Sequence, residues 1–312
     1  MKIFVTGGAG FLGRYLVEFL VLHGHKVTIF DNLSNSSKDL IENIIDKGAK
    51  FVNGDITNSN ELTKALNDFE IVIHLAAKIS VEDSIINPAE TQLINVEGTK
   101  NLLNICREKN IENFVAASSA AVYGDVDSPE IILTEQFPTN PVSPYGKSKV
   151  DMEKEIIKFS NNCGLNAIIL RFFNIYGLGQ SREYAGVISK FAENIRKNES
   201  LVVFGDGNQT RDFISIEDVI SSVLLSIEHV SNKHGNVYNI ASGKSITINE
   251  LAKLMVSASG KKLGIEYGKP KKGDIRFSRV SINLAKNEFG YQPKIPISLG
   301  IKDLLHKMDI IN

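Results

Sequence analysis

The sequence predicts an α/β protein in which a doubly wound parallel sheet is followed by a smaller mixed α/β domain. Three observations carry this. Short β-branched runs alternate with longer segments of helical period through the first half of the chain. The strand segments are apolar without a break, as expected of strands covered on both faces by helical crossovers. A glycine-rich turn, TGGAGFLG, separates the first strand from the first helix.

Taken in order, strands are expected at 2–6 (KIFVT), 26–30 (KVTIF), 50–52 (KFV), 70–75 (EIVIHL), 113–117 (NFVAA) and 166–171 (NAIILR). The segments 12–23, 58–67, 92–109 and 146–160 repeat apolar residues at helical spacing between them. Beyond about residue 172 this regularity gives way to the turns FGDGN at 204–208, ASGKS at 241–245 and YGKPKKGD at 267–274. The expected organisation is therefore a first domain over 1–172 and a second mainly over 173–312, with some later segments returning to the first sheet.

Composition narrows the function. The 312 residues are enough for two domains, and 43% apolar with 23% charged residues is ordinary for a globular protein. Thirty-five Lys and Arg against 36 Asp and Glu leave a net charge of -1, which makes no electrostatic case for a nucleic-acid partner. Cys106 and Cys163 fall in helical stretches without the His/Cys spacing of a metal site, so reduced thiols and no metal are expected. The opening MKIFVTGGAGFLG reads as a strand rather than a signal peptide, and the run from Ile71 to Ala77 is far short of a bilayer span of ~20 residues. A cytoplasmic protein with no membrane partner is expected.

Gly7, Gly10 and Gly13 stand three apart where the first strand turns into a helix. Missing side chains there let the backbone approach a pyrophosphate, to which a helix N-terminus offers free N–H groups. Asp31 ends the second strand, 21 residues beyond Gly10. A carboxylate at that place accepts the hydroxyls of an adenosine ribose and repels a 2′-phosphate, which favours NAD over NADP. These are the marks of a Rossmann domain.

Strand 113–117 runs into Ser118 and Ser119, and Tyr145 and Lys149 stand four apart at the start of a helix, sharing one face. A phenol, with pKa ordinarily near ~10, becomes a usable base when an ammonium and a cationic nicotinamide favour its anion. Ser119 can hydrogen-bond the same reacting oxygen. By itself the pair also fits an ordinary helix surface.

TGGAGFLG, Asp31, Asp55-Ile56, HLAA at 74–77, Asn95, SSAAVYG and YGKSK resemble the extended short-chain dehydrogenase/reductases. RFFNIYG and GDGNQTRDFISIEDV are similar to the NAD-dependent epimerase/dehydratase branch that acts on sugar nucleotides, and the resemblance runs from residue 1 to about 305. It implies a cofactor site of Gly7, Gly10, Phe11, Leu12, Gly13, Asp31, Asn32, Asp55, Ile56, Leu75, Ala76, Ala77, Asn95 and Phe172, with Tyr145 and Lys149 at the nicotinamide ribose. Ser119, Tyr145 and Lys149 become the catalytic residues. On the substrate side it implies Ser80 and Val187 as contacts, Asn174 and Arg211 at the diphosphate, Phe204 stacked on uracil, and Asp274 at the nucleoside ribose. Lys271 stands where many relatives carry Arg, a point charge in place of a fork. Ser278 matches a position beside the sugar C2 substituent, where a small residue leaves room for an acetamido group.

Ala120 and Ala121 occupy the places where relatives that eliminate water carry Asp-Glu, so neither extra carboxylate is available. What remains is reversible oxidation at one carbon: a 4-epimerase of UDP-hexoses, UDP-glucose and UDP-galactose, with UDP-GlcNAc and UDP-GalNAc as further candidates. A UDP-glucuronate epimerase or a reductase is the alternative within the class, and a non-catalytic NAD-binding sensor the alternative outside it. Relatives pair the helices matching 92–109 and 146–160 across a two-fold axis, which implies a homodimer.

Overall fold

The computed structural model describes residues 1–180, 186–270 and 275–311. Its strands are β1 (Lys2–Thr6), β2 (Lys26–Asp31), β3 (Lys50–Asn53), β4 (Ile71–His74), β5 (Asn113–Ser119), β6 (Asn166–Phe172), β7 (Asn174–Tyr176), β8 (Leu201–Phe204), β9 (Thr210–Ser215), β10 (His234–Ile240), β11 (Ser245–Thr247) and β12 (Ile265–Gly268). The first six and β10 form one seven-stranded sheet in the order β10-β6-β5-β4-β1-β2-β3. Each neighbouring pair from β3 across to β5 is parallel, with β1 matching Ile3 to Val27 on one side and Ile71 on the other.

The central strands are largely buried, IVIH of β4 completely, as two covered faces require. Side chains alternate between the faces. Phe4 and Phe114 turn to the face where Leu102, Cys106, Met152 and Ile156 pack from helices Gly98–Glu108 and Pro144–Cys163. The helix Phe11–Leu22 buries Leu16, Val17 and Leu20.

The chain forms two compact units that interleave along the sequence. The first comprises 1–122, 143–171 and 220–238 and carries the large sheet; the second comprises 123–142, 172–219 and 239–312. Thus the end of the chain's third quarter returns to the first sheet as β10, and the segment after β5 leaves for the second unit. There Leu133 exchanges backbone hydrogen bonds with Arg279 and Ser281, and the Tyr123 hydroxyl donates to Asn239 at 2.6 Å. The second unit holds the mixed sheet β11-β9-β7 and the pair β12-β8. Its core gathers Ile188, Phe191, Leu201, Phe213, Leu251, Met255 and Leu304.

The expected helix over 92–109 differs in form. A short helix Pro88–Gln92 passes into a wide π-helical turn at Leu93–Glu97 before Gly98–Glu108 continues as α-helix. Hydrophobic spacing does not register that extra residue per turn. Among the described residues, no helix is long and apolar enough to cross a membrane.

Candidate active site

The glycine turn is built by close backbone approach. Gly7 has φ +70°, and a Cβ there would lie 2.5 Å from the backbone nitrogen of Ala76. A Cβ on Gly13 would lie 2.3 Å from the Gly7 carbonyl oxygen, so helix and strand pack with nothing between them. At Gly10, among the described residues and apart from its chain neighbours, such a carbon meets only the Gly7 oxygen, at 3.3 Å, which leaves the outer side of the turn open. Gly10 is also the N-cap of helix Phe11–Leu22 and supplies no side-chain cap, so the first N–H groups, those of Phe11 and Leu12 among them, stand ready for an anion. This cradle fits a dinucleotide pyrophosphate.

Asp31 closes β2 and ties the turn together: its carboxylate accepts the Ala9 N–H at 3.0 Å and the Leu33 N–H at 2.8 Å. Burial raises its pKa and these two bonds oppose that rise. Each oxygen retains a lone pair for a ribose hydroxyl. Asn32 donates to Asp55 at 2.8 Å, and Asp55 also accepts from the Thr57 N–H and hydroxyl. Burial pushes the Asp55 carboxyl up, but these bonds outweigh it and its pKa is lowered. Ile56 beside it is buried.

His74, at the end of β4, is buried between Thr6 at 2.7 Å and Thr99 at 2.9 Å. Because the Thr99 hydroxyl donates to the Asn95 carbonyl at 2.7 Å, its oxygen accepts from His74 Nε2, and Nδ1 accepts from Thr6. Burial lowers the imidazole pKa to about 3, so it is a neutral strut at the start of the Leu75-Ala76-Ala77 segment. Asn95 sits in the π-helical turn and pins two chain segments: it accepts from the Lys78 N–H, and its amide donates to the Lys78 carbonyl and the Ser148 hydroxyl. The Ser80 hydroxyl accepts the Asp83 N–H and so caps helix Val81–Ile86.

Helix Pro144–Cys163 begins two residues before the expected segment 146–160, with Ser143 capping through the Gly146 N–H and Pro144 in the first turn. Tyr145 and Lys149 face the end of β5. The Ser119 side chain hydrogen-bonds toward the Tyr145 hydroxyl; burial raises the phenol pKa, and this bond works against the rise. Lys149 Nζ donates to the Ala117 carbonyl at 2.9 Å. Burial lowers the Lys149 pKa to about 8, while the charge of Glu153 holds it up. One turn further, Glu153 accepts the Ser118 hydroxyl and a two-point fork from Arg171, at 2.9 Å from Nε and 2.6 Å in the second bond. Glu153 and Arg171 were not singled out from sequence; extending the Tyr145–Lys149 spacing by one more turn reaches Glu153.

In the second unit, Phe172 ends β6 and is buried, and the Asn174 amide donates to the Asp212 carbonyl at 2.8 Å. Val187 opens helix Val187–Lys197. Phe204 ends β8 and is 38% exposed. Arg211 lies on β9, where its guanidinium donates to the Thr210 carbonyl. Asp212 is buried, accepts the Ser242 N–H, and is raised to about 6 by burial. Ser278 is buried, its N–H bonded to Thr210 and its carbonyl to Ser245. Lys271 and Asp274 lie outside the described residues.

A doubly wound sheet with this turn and a Ser, Tyr and Lys gathered at the end of β5 defines a dinucleotide-dependent protein of the short-chain dehydrogenase/reductase class. Residues 3–241 match the NAD dependent epimerase/dehydratase family. The chain belongs to that family. It is 39% identical over 311 residues to a putative UDP-glucose 4-epimerase of Methanocaldococcus jannaschii, covering 98% of each chain. Among solved structures it is similar to the UDP-glucose 4-epimerase of Thermotoga maritima with UDP-glucose, at TM-score 0.92, 32% identity and 99% coverage of both chains. It is also similar to the UDP-N-acetylglucosamine 4-epimerase of Methanobrevibacter ruminantium in complex with UDP-N-acetylmuramic acid, at TM-score 0.91 and 33% identity over 99% of this chain and 98% of that one.

Proposed function

We propose that this protein is an NAD-dependent 4-epimerase of UDP-hexoses. The observation that carries the reading is the Ser119–Tyr145–Lys149 set against β5, followed at once by Ala120 and Ala121 where elimination would need carboxylates. The relatives reported above act on UDP-sugars, which supports the substrate class. NAD, when bound, supplies an oxidant at the sugar C4 that is restored in every cycle.

The residues have the following roles in this reading. The glycine turn and the N-terminus of helix Phe11–Leu22 hold the pyrophosphate, and Asp31 the adenosine ribose. Tyr145 takes the proton from the C4 hydroxyl and gives it back once the sugar has presented its other face. Ser119 hydrogen-bonds the same oxygen. Lys149, charged at neutral pH, favours the phenolate against a burial that opposes it. Asn174, Arg211, Phe204, Lys271 and Asp274 bind the nucleoside diphosphate, with Ser80 and Val187 as further contacts. The small Ser278 extends the substrate range to N-acetylhexosamines.

The test is to incubate the purified protein with UDP-galactose, UDP-glucose and their N-acetylated counterparts, without added reductant, and identify the products. Epimerisation is expected, and a Tyr145→Phe variant should lose something like 10² to 10⁴ of it while keeping NAD. Net reduction, turnover of UDP-glucuronate alone, or no turnover at all would each replace this reading with one of the alternatives.

A further inference from the structure

Three consecutive residues of β5 meet three successive turns of helix Pro144–Cys163. Ser119 meets Tyr145, the Ala117 carbonyl meets Lys149, and the Ser118 hydroxyl meets Glu153. Arg171 reaches Glu153 from the neighbouring strand β6 and makes the two-point fork. Glu153 and Arg171 have side chains only 4% and 6% exposed, so this is a fully buried ion pair one turn from a buried ammonium. For cohesion alone an apolar pair of similar volume would serve as well, because desolvating two charges costs about what their attraction returns. An apolar pair, however, has no geometric fork to set the helix against the strand, and it places no negative charge beside Lys149.

Several titratable groups near that helix have partners of their own or carry no charge. His74 is neutral, Tyr145 is turned to Ser119, Glu90 pairs with Lys78, and Lys100 lies between Glu97 and Glu155. Glu153 stands four residues beyond Lys149 on the same helix face, and its negative charge holds the Lys149 pKa up.

We infer that Glu153, held by Arg171 and Ser118, is a positioning residue that keeps the Lys149 side chain charged and in place beside Tyr145. The functional weight of this inference rests on the epimerase reading; the electrostatic part stands without it. The direct readout is the titration of Lys149 in protein labelled with ¹³C at the lysine ε-carbon, its resonance assigned by its loss in Lys149→Met. Glu153→Gln should lower the Lys149 pKa by about one unit or more, since an adjacent opposite charge is worth that much in a buried site. Arg171→Met frees the full charge of Glu153 and should raise it. The double variant Glu153→Gln/Arg171→Met should titrate below wild type but above Glu153→Gln, and because it buries no charge alone it remains available if either single variant fails to fold. The alkaline limb of kcat should move in the same order, with little change in KM.

A merely structural role would depress kcat in all three variants and leave the limb and the titration where they are. An unmoved Lys149 titration in the double variant overturns the inference even if the enzyme epimerises. Absence of epimerisation by wild type, with the order of titrations intact, overturns the functional reading instead.

Discussion

At Lys149 folding and chemistry oppose each other. Its pKa is lowered to about 8 by burial, so below that pH the folded chain holds a proton at a cost, and the cost fades as pH rises from there toward the ordinary lysine value. Lys149→Met should therefore raise the unfolding free energy at pH 7, by roughly 3 kcal/mol less what is lost with the Ala117 bond, and this gain should shrink toward pH 10. Urea denaturation at the two pH values checks both sign and window. Epimerase activity should be lost in the same variant. Ser278 poses a question of volume: it is buried, with its backbone tied on both sides, so a larger side chain has little freedom to swing away. Ser278→Tyr should cost N-acetylhexosamine substrates about ten- to a hundredfold in kcat/KM, the size of a ~1–3 kcal/mol clash, and leave UDP-glucose and UDP-galactose nearly untouched. Equal handling of both substrate types by the variant would move the selectivity to another residue.

Among the elements, the β1 turn, the end of β2 and the helix between them act as one unit through Asp31. Its carboxylate holds Ala9 in the turn and Leu33 beyond the strand, and it meets any 2′-phosphate as a like charge. NAD should bind in clear preference to NADP, and Asp31→Ala should narrow that gap in calorimetry while also loosening NAD itself. Burial raises the Asp31 pKa, so the preference should weaken as pH falls into the acidic range, where the carboxyl takes up its proton. Equal wild-type affinities would remove this role. The turn was legible because Gly7, Gly10, Gly13 and Asp31 act through local spacing, and the helix carrying Tyr145 because its apolar residues recur at helical spacing. The π-helical turn at Leu93–Glu97 was not, because what accompanies it is remote: Asn95 bonds the backbone of Lys78 and the hydroxyl of Ser148.

For the whole molecule, the first unit leaves Ile79, Val81, Ile85, Ile86 and Leu93 exposed, Ile86 at 83% and Leu93 at 51%. Exposed apolar side chains favour a partner, and the family resemblance implies a homodimer paired through the helices matching 92–109 and 146–160. Sedimentation velocity should find a dimer, and Leu93→Glu should shift it toward monomer by burying a charge against apolar surface. A monomeric wild type at micromolar concentration would refute this.

The sequence by itself determined whatever depends on neighbours a few residues away: the uninterrupted apolar strands, the glycine turn, Asp31 at a strand end, Tyr145 and Lys149 on one helix face. Tertiary structure alone decided which remote groups meet. The passage of 123–142 into the second unit is of this kind, as are the choice of 220–238 as a segment that returns to the first, the Glu153–Arg171 pair between helix and strand and the neutral His74 between Thr6 and Thr99. The reason is physical. Spacing and propensity act within a turn or two of chain, whereas burial, which sets the charge state of Lys149 and His74, is a property of everything packed around them.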